Sequence, residues 1–523
     1  YEYIADETLT DPGEASNYLL EQDFGNRDEW KRVDIGRSPA EVQAYVVDSS
    51  VDAAGALTLD AVSEQSINAI VIAGSVAVSG GQTSVSVSGA GAGAENRIAT
   101  RVRSFIDDLD DSALTVIEAG SLSLTADDSS SISVIVGAAS VAAAFGGSTG
   151  VAVSIGVAGA FNEVSNEVEA FVRDASVTTE TGDLSISAVS RGKHLFDNGI
   201  SVSAADLDDA AKADEDNPDK PGDDTDDPED PTDDGVGFNE AEVDAAADAV
   251  ILETLRANFA AQGVVLEGEL RLSSMTEGEC WALTTGGGLT YFIEWDGAKF
   301  SVSQASISAV TAAASVSAAF SGGTSVAVSG AGAIGMNVVL TDVEAFIEDS
   351  AIASARDVIV SAASSSGIAA VTGALAASVA AGGGTSVGVS IGAAVAINYI
   401  GYNLDGSQDP AAVHAYILNS SVDAIRDVKV SAAASQTIGA ITLAGSVGIA
   451  GGGGTGVAVA GSGAVALNMI GADVKSYIDG DVAIGGGVTD GIQARNLSVT
   501  AADASTITAL VEASAAVTER FLA

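Results

Sequence analysis

The chain has a single cysteine, Cys280, in 523 residues, which rules out an intrachain disulfide framework. It has two histidines, His194 and His414, in unrelated contexts, so no His/Cys spacing suits a metal. Basic residues are scarce: 21 Lys and Arg face 72 Asp and Glu, for a formal net charge of −51. A polyanion of this kind is repelled by nucleic acid and by anionic membranes, and it suits a saline exterior with divalent cations. Aromatics make up 5%, and the girdles expected of a transmembrane barrel are missing. The Ala/Val/Gly runs alternate with Ser and Thr and break at Gly clusters, unlike a 20-residue apolar helix. Gly-x-Ser-x-Gly elbows and Gly-Lys-Ser/Thr phosphate loops are also lacking. Enzymes usually interrupt a repeat to build a site, and here the repeat stays regular, so no catalytic activity is expected.

What is present is small and repetitive. The chain is 47% hydrophobic with 60 glycines, and its apolar content is mostly Ala and Val beside Gly and Ser. Five segments begin at Ile67, Ile132, Ile307, Ile368 and Ile438, and a sixth opens at Ile507. Each runs through an alternating Ala/Val/Ser stretch to a Gly cluster. A second alternating run then ends on Asn96, Asn162, Asn337, Asn398 or Asn468, 29 or 30 residues past the Ile. A further half-unit opens at Val102, Val168, Val343, Val413 and Val474, in VRSFIDD, VEAFVRD, VEAFIED, VHAYILN and VKSYIDG. Before Val413 a loop, YIGYNLDGSQDPAA, is inserted. An orphan second half stands first, at Val42 and Leu57.

Period-two alternation of Val, Ile and Ala with Ser and Thr predicts strands throughout, with Gly supplying the turns. The expected fold is all-β: a repetitive β-solenoid of two rungs of about 30 residues per repeat. A stack of long antiparallel hairpins is the alternative. Ala and Gly at alternate positions imply two flat sheets packed unusually close. Phe105, Phe171, Phe346, Tyr416 and Tyr477 are expected to stack as a column in the wider part of the core. Asn96, Asn162, Asn337, Asn398 and Asn468 are expected to form an amide ladder. His414 stands where other copies have Arg103, Glu169, Glu344 and Lys475, which marks an outward position.

The rhythm stops after Ser190 and resumes at Phe300. Domains are therefore expected at 1–41 (an N-terminal arm or cap), 42–190 (solenoid repeats), 191–239 (an acidic Pro/Asp-rich linker), 240–299 (an inserted module) and 300–523 (solenoid repeats, the last incomplete). Within 206–234 lie fifteen acids and four of the seven prolines, a composition that cannot form a core. It reads as a solvated linker. Loose calcium binding at Asp223, Asp224, Asp226 and Asp227 is the alternative, although no EF-hand loop fits. No other metal or cofactor is assigned. An amphipathic helix is expected at about 240–262, capped by Asn239 and closed by Gly263. Short strands carrying Trp281, Tyr291 and Trp295 follow, which makes a small α+β module. Its aromatics are either a core or a ligand-binding surface.

The copies VEAFIEDSAI, DVIVSAASSS and AYILNSSVDAIRDVKVSAAAS resemble repeats of large bacterial filamentous-haemagglutinin-like and leukotoxin-type filamentous adhesins. The resemblance covers about 42–190 and 300–515. It implies a secreted Gram-negative β-solenoid acting in adhesion, biofilm matrix or cell-surface architecture. The chain opens on a polar, acidic stretch at Tyr1 and is expected to be a mature or excised chain. Its array starts on a second half-unit and finishes on a first, which suggests head-to-tail assembly into an extracellular filament. The alternative is a piece of a large adhesin that binds glycan, host or surface ligands through the inserted module. Neither nucleic-acid binding nor membrane insertion is expected.

Overall fold

The structure is a computed structural model. It describes residues 2–3, 30–31, 39–109, 115–192, 200–201, 280–284, 290–295, 299–304, 306–480 and 491–521. The chain divides into two units, Tyr1–Glu41 and Val42–Ala523. Of the first, the antiparallel pair Glu2–Tyr3 with Trp30–Lys31 is described. Among the described residues there is no helix, and so none long and apolar enough to cross a membrane.

The second unit is all-β and almost wholly parallel. Each repeat lays its strands beside the same strands of the next, in register. Ile132 pairs with both Ile67 and Ile307, then Ile307 with Ile368, Ile368 with Ile438 and Ile438 with Ile507. The partners are full repeats apart, so a repeat of about 60 to 70 residues is one layer. This corrects the expected 30-residue rung: the two half-units are successive parts of one layer, each around its own core, and do not stack on each other. It also removes the antiparallel-hairpin alternative for the repeats. The interruption costs the stack nothing in register, since Asn162 bonds Asn337 across 175 residues as Asn96 bonds Asn162 across 66.

Within a layer the chain runs out along a first arm such as Ile307–Ser321 and turns at the Gly cluster. It comes back along a second arm such as Thr324–Glu348. Both arms belong to one twelve-stranded sheet. The arms face each other, because inward hydroxyls meet across the gap. Ser88 Oγ donates to Ser75 Oγ at 2.9 Å, Ser154 to Ser140 at 2.9 Å and Ser329 to Ser315 at 2.9 Å. A corner then leads to shorter strands such as Ala351–Ser354 and Val358–Ser365, in a second sheet of ten strands.

Side-chain size sets the spacing between the layers' two sides. At the wide end the buried cluster is Val, Ile and Leu: Val168, Val172, Ile117, Leu122, Leu124 and Ile186. Along the arms the inward positions shrink, from Ile132, Val134 and Val136 through Ala138 and Ser140 to Ala142 and Ala144. At the tip the core is alanine and serine, with Ala152, Ala319, Ala327 and Ala380 beside buried Ser317, Ser325 and Ser378. Some inward positions tolerate no Cβ at all. One on Gly388 would lie 2.6 Å from the carbonyl oxygen of Ile449 in the opposing arm, and one on Gly448 2.7 Å from that of Val459. The close sheet packing expected from Ala and Gly is therefore a property of the arms. The ten-stranded sheet packs over a normal aliphatic core.

The corner after the Val-aromatic strand has a backbone cause in every copy but the one at Val102, where Asp108 keeps an ordinary φ. Asp48, Asp174, Asp349, Asn419 and Gly480 occupy one column and all have positive φ, between 45° and 80°. Asp, Asn and Gly are the residue types that enter the left-handed region most readily. The ladder continues through the bend, since Asp349 N–H donates to the Leu418 carbonyl and Asn419 N–H to that of Asp479.

Of the interruption, a four-stranded antiparallel sheet is described: Ile200–Ser201, Lys299–Gln304, Thr290–Trp295 and Cys280–Thr284, in that order. The strands following the expected helix are thus present. The helix at 240–262, the acidic linker and Asp223, Asp224, Asp226 and Asp227 lie outside the described residues.

Candidate functional site

Three columns run along the stack. In the first, Asn96 Nδ2 donates to Asn162 Oδ1, Asn162 to Asn337, Asn337 to Asn398 and Asn398 to Asn468, each at 2.8 Å. Each interior amide gives one bond and takes one, which satisfies groups that are fully buried at Asn162, Asn337 and Asn398.

In the second, six rings stack face to face. From Tyr45 through Phe105, Phe171, Phe346 and Tyr416 to Tyr477, the centroids are 4.7 to 5.1 Å apart. The expected column is present and Phe171 and Phe346 are buried in it, on the other face of their strands from the aliphatic cluster. Val168, Ala170 and Val172 point into that cluster, so alternation turns Phe171 to the face of Glu169 and Arg173. Arg173 lies over the Phe171 ring at 5.3 Å and pairs with Asp107 at 2.6 Å. That carboxylate holds the guanidinium above its ordinary pKa, against the opposing effect of burial. Tyr416 is pushed well above the usual phenol range, first by burial and then by Glu344 and Glu348.

The third column is ionic and lies beside the rings in two groups, which meet where Glu169 and Glu344, of like charge, are register partners. Arg103 pairs with Glu167 at 2.8 Å and with Glu169 at 2.5 Å. His414 lies 3.4 Å from Glu344 and 3.2 Å from Asp473, which also holds Lys475 at 2.6 Å. His414 is therefore on the outward face, as expected, but clamped between carboxylates. Burial alone would lower its pKa; contacts with Glu344 and Asp473 outweigh that and raise it. Asp473 is also partly desolvated, and Lys475 and His414 pull its pKa below the ordinary value. Among the described residues, no group of three or more His, Cys, Asp or Glu is placed to hold a metal ion.

The outer surfaces of the two arms carry the feature that the sequence reading missed. With Ala, Ser and Thr turned inward, the bulky apolar residues face out: Val78 is 67% exposed, Val87 66%, Leu375 62% and Ile391 57%. One outward column is Val85, Val151, Val326, Val387 and Val457. The next is Val87, Val153, Val328, Val389 and Val459. Residues 66–94, 131–162, 306–337, 367–398 and 437–468 contain no charged side chain at all. In a chain of net charge −51, that absence is the signal by which these arms could have been picked out.

Of the candidate ligand-binding positions, Trp281 pairs with Ile293, Tyr291 with Leu283 and Trp295 with Phe300. Directly paired and alternate positions share a face, so register puts 281, 291 and 295 on one face of the small sheet. No protein-family model matches the chain, and no curated protein or solved structure is significantly similar to it.

Proposed function

We propose that this chain is a β-solenoid structural protein, a stacking element of an extracellular or cell-surface filament. The observation that carries this reading is the unbroken sequence of the amide and ring columns and the parallel backbone pairing beside them. Any layer meets its neighbour through the same amide, the same ring and the same parallel backbone pattern. The outermost strands among those described, including Thr455–Ile470 and Asn496–Asp503, have a neighbour on one side. An open parallel edge is a template for another strand. A second copy that presents Tyr45 to Tyr477 would extend the ring column, and a head-to-tail contact of this kind does not close. The resemblance to filamentous adhesin repeats and the strongly acidic composition both support an exported, architectural role over a catalytic one.

Negative-stain electron microscopy of the full chain tests this. Fibres are expected whose length grows with concentration and shrinks when Tyr477→Lys blunts the edge. Particles of one repeat-stack in length at every concentration would sink the idea. A second reading, adhesion through the inserted sheet, is favoured by the three aromatic positions on one face. It predicts that Trp281→Ala and Trp295→Ala abolish binding to a glycan array while leaving the fibres intact.

A further inference from the structure

Over residues 66–94, 131–162, 306–337, 367–398 and 437–468 the outward faces of the arms are apolar and free of charge, and the ladders do not use them. Five layers spaced about 4.8 Å apart, along about ten residues of about 3.3 Å rise, give each face about 800 Å². That exceeds the few hundred Å² of contiguous apolar surface usual on a soluble monomer. It equals what each partner contributes to an interface of standard size.

The geometry points to a second copy of this chain as the occupant: we propose that the second-arm face pairs with the same face of another molecule. Three observations favour this partner. The face is periodic, with valine in all five layers of the columns headed by Val85 and Val87. Its repeat distance is fixed by the backbone ladder, and another copy presents the identical repeat. Two valine ridges therefore interlock with two valine ridges at every layer, whereas a disordered surface has no spacing to match. The charge distribution agrees as well. The second-arm segments 83–94, 149–162, 324–337, 385–398 and 455–468 hold no acid or base, so two copies meeting there bring together only uncharged segments. A lipid surface would need what these segments lack, since not one Lys or Arg stands on them to meet a phosphate headgroup. The inward serines and alanines complete the case. Turning the bulky side chains out leaves a thin interior, and covering the outer face with a second sheet would restore the desolvation that the interior forgoes.

This contact is lateral and uses side chains, whereas end-to-end stacking uses sheet edges, so each stands or falls without the other. Sedimentation equilibrium of the full chain at low and high NaCl tests it, with Val87→Glu/Val459→Glu and Val328→Thr/Val389→Thr as variants. The wild-type mass is expected to rise from 51.5 kDa towards twice that, more readily in high salt, which screens acid repulsion. The Glu pair stands on exposed positions and should keep the melting temperature while weakening association at least about a hundredfold. The near-isosteric Thr pair should weaken it about tenfold. Association undiminished in the Glu pair overturns the proposal even if fibres form. So does a wild type that stays monomeric at every concentration. A monomer that partitions into uncharged phosphatidylcholine vesicles overturns it too, and assigns the face to lipid.

Discussion

Asp128 is wedged between Thr100 and Asn166, which are register partners on adjoining layers. Its Oδ1 accepts from Thr100 Oγ1 at 3.1 Å and from Ser130 Oγ at 2.9 Å, and Asn166 Nδ2 lies 2.5 Å from its Oδ2. Its own column holds Ser63 and Ser190 on either side, so one layer has a carboxyl where its neighbours have a hydroxyl.

Burial raises the Asp128 pKa to about 6, against the lowering effect of those hydrogen bonds. Between the unfolded value near 4 and this folded value, the native state binds more protons than the unfolded chain. Stability therefore falls as pH rises through that window and is level above it. Asp128→Asn removes this titration. The variant should gain about 1–3 kcal/mol on the wild type between acidic and neutral pH. Denaturant melts of both proteins across the window check it, and a difference that does not change with pH contradicts it.

His414 gives a second, separable pH signature. Its pKa is raised above the ordinary 6.5 by Glu344 and Asp473, against burial, with Lys475 sharing Asp473 Oδ2. For a base with a raised folded pKa, the stabilisation is complete below the unfolded value and is lost as pH climbs through the folded one. His414→Gln should therefore lower the melting temperature in mildly acidic buffer and leave it unchanged in alkaline buffer. Equal losses at both would assign His414 a packing role instead.

Asn337→Ala should be costly. It leaves the Asn162 amide and the Asn398 carbonyl oxygen buried without the partners they had at 2.8 Å. Two such groups cost about 2–4 kcal/mol together. Equilibrium unfolding in guanidinium reports the loss, and a change under about 0.5 kcal/mol would deny the ladder any part in stability.

The corner column makes a prediction about shape. Asp349 sits at φ 45°. Asp349→Val places a β-branched side chain in the left-handed region and should cost about 1–2 kcal/mol or more, while Asp349→Gly should be neutral or stabilising. Thermal melts of the pair distinguish them, and equal effects would remove backbone strain as the reason for Asp, Asn and Gly there.

Much of this was legible from the residues. Alternation gave strands, the Ile-to-Asn spacing gave the landmarks, and Ala with Gly gave close sheets. What failed did so for identifiable reasons. A spacing of 30 residues recurs in the sequence whether the half-units stack or follow one another within a layer, and only the pairing of Ile307 with Ile368 decides. Alternation separates two faces without saying which is inside, so the outward turn of Val87 is not legible from it. Ordinary hydrophobic patterning turns the larger apolar residues inward; here close backbones exclude them, as the space around Gly388 makes plain. The corner was visible in retrospect, since the VEAFIED column closes on Asp, Asn or Gly in every copy.

Because each position pairs with its own counterpart, the layers are interchangeable parts. Ile307 already adjoins Ile132 across a long excursion and Ile368 across a short one with equal fidelity. Excising residues 368–437 should bring Ile307 against Ile438 with every column intact and the whole shorter by one layer. Height in such a molecule is a matter of counting: it can be lengthened or trimmed by gene duplication and deletion in steps of about 4.8 Å, with no new interface to invent.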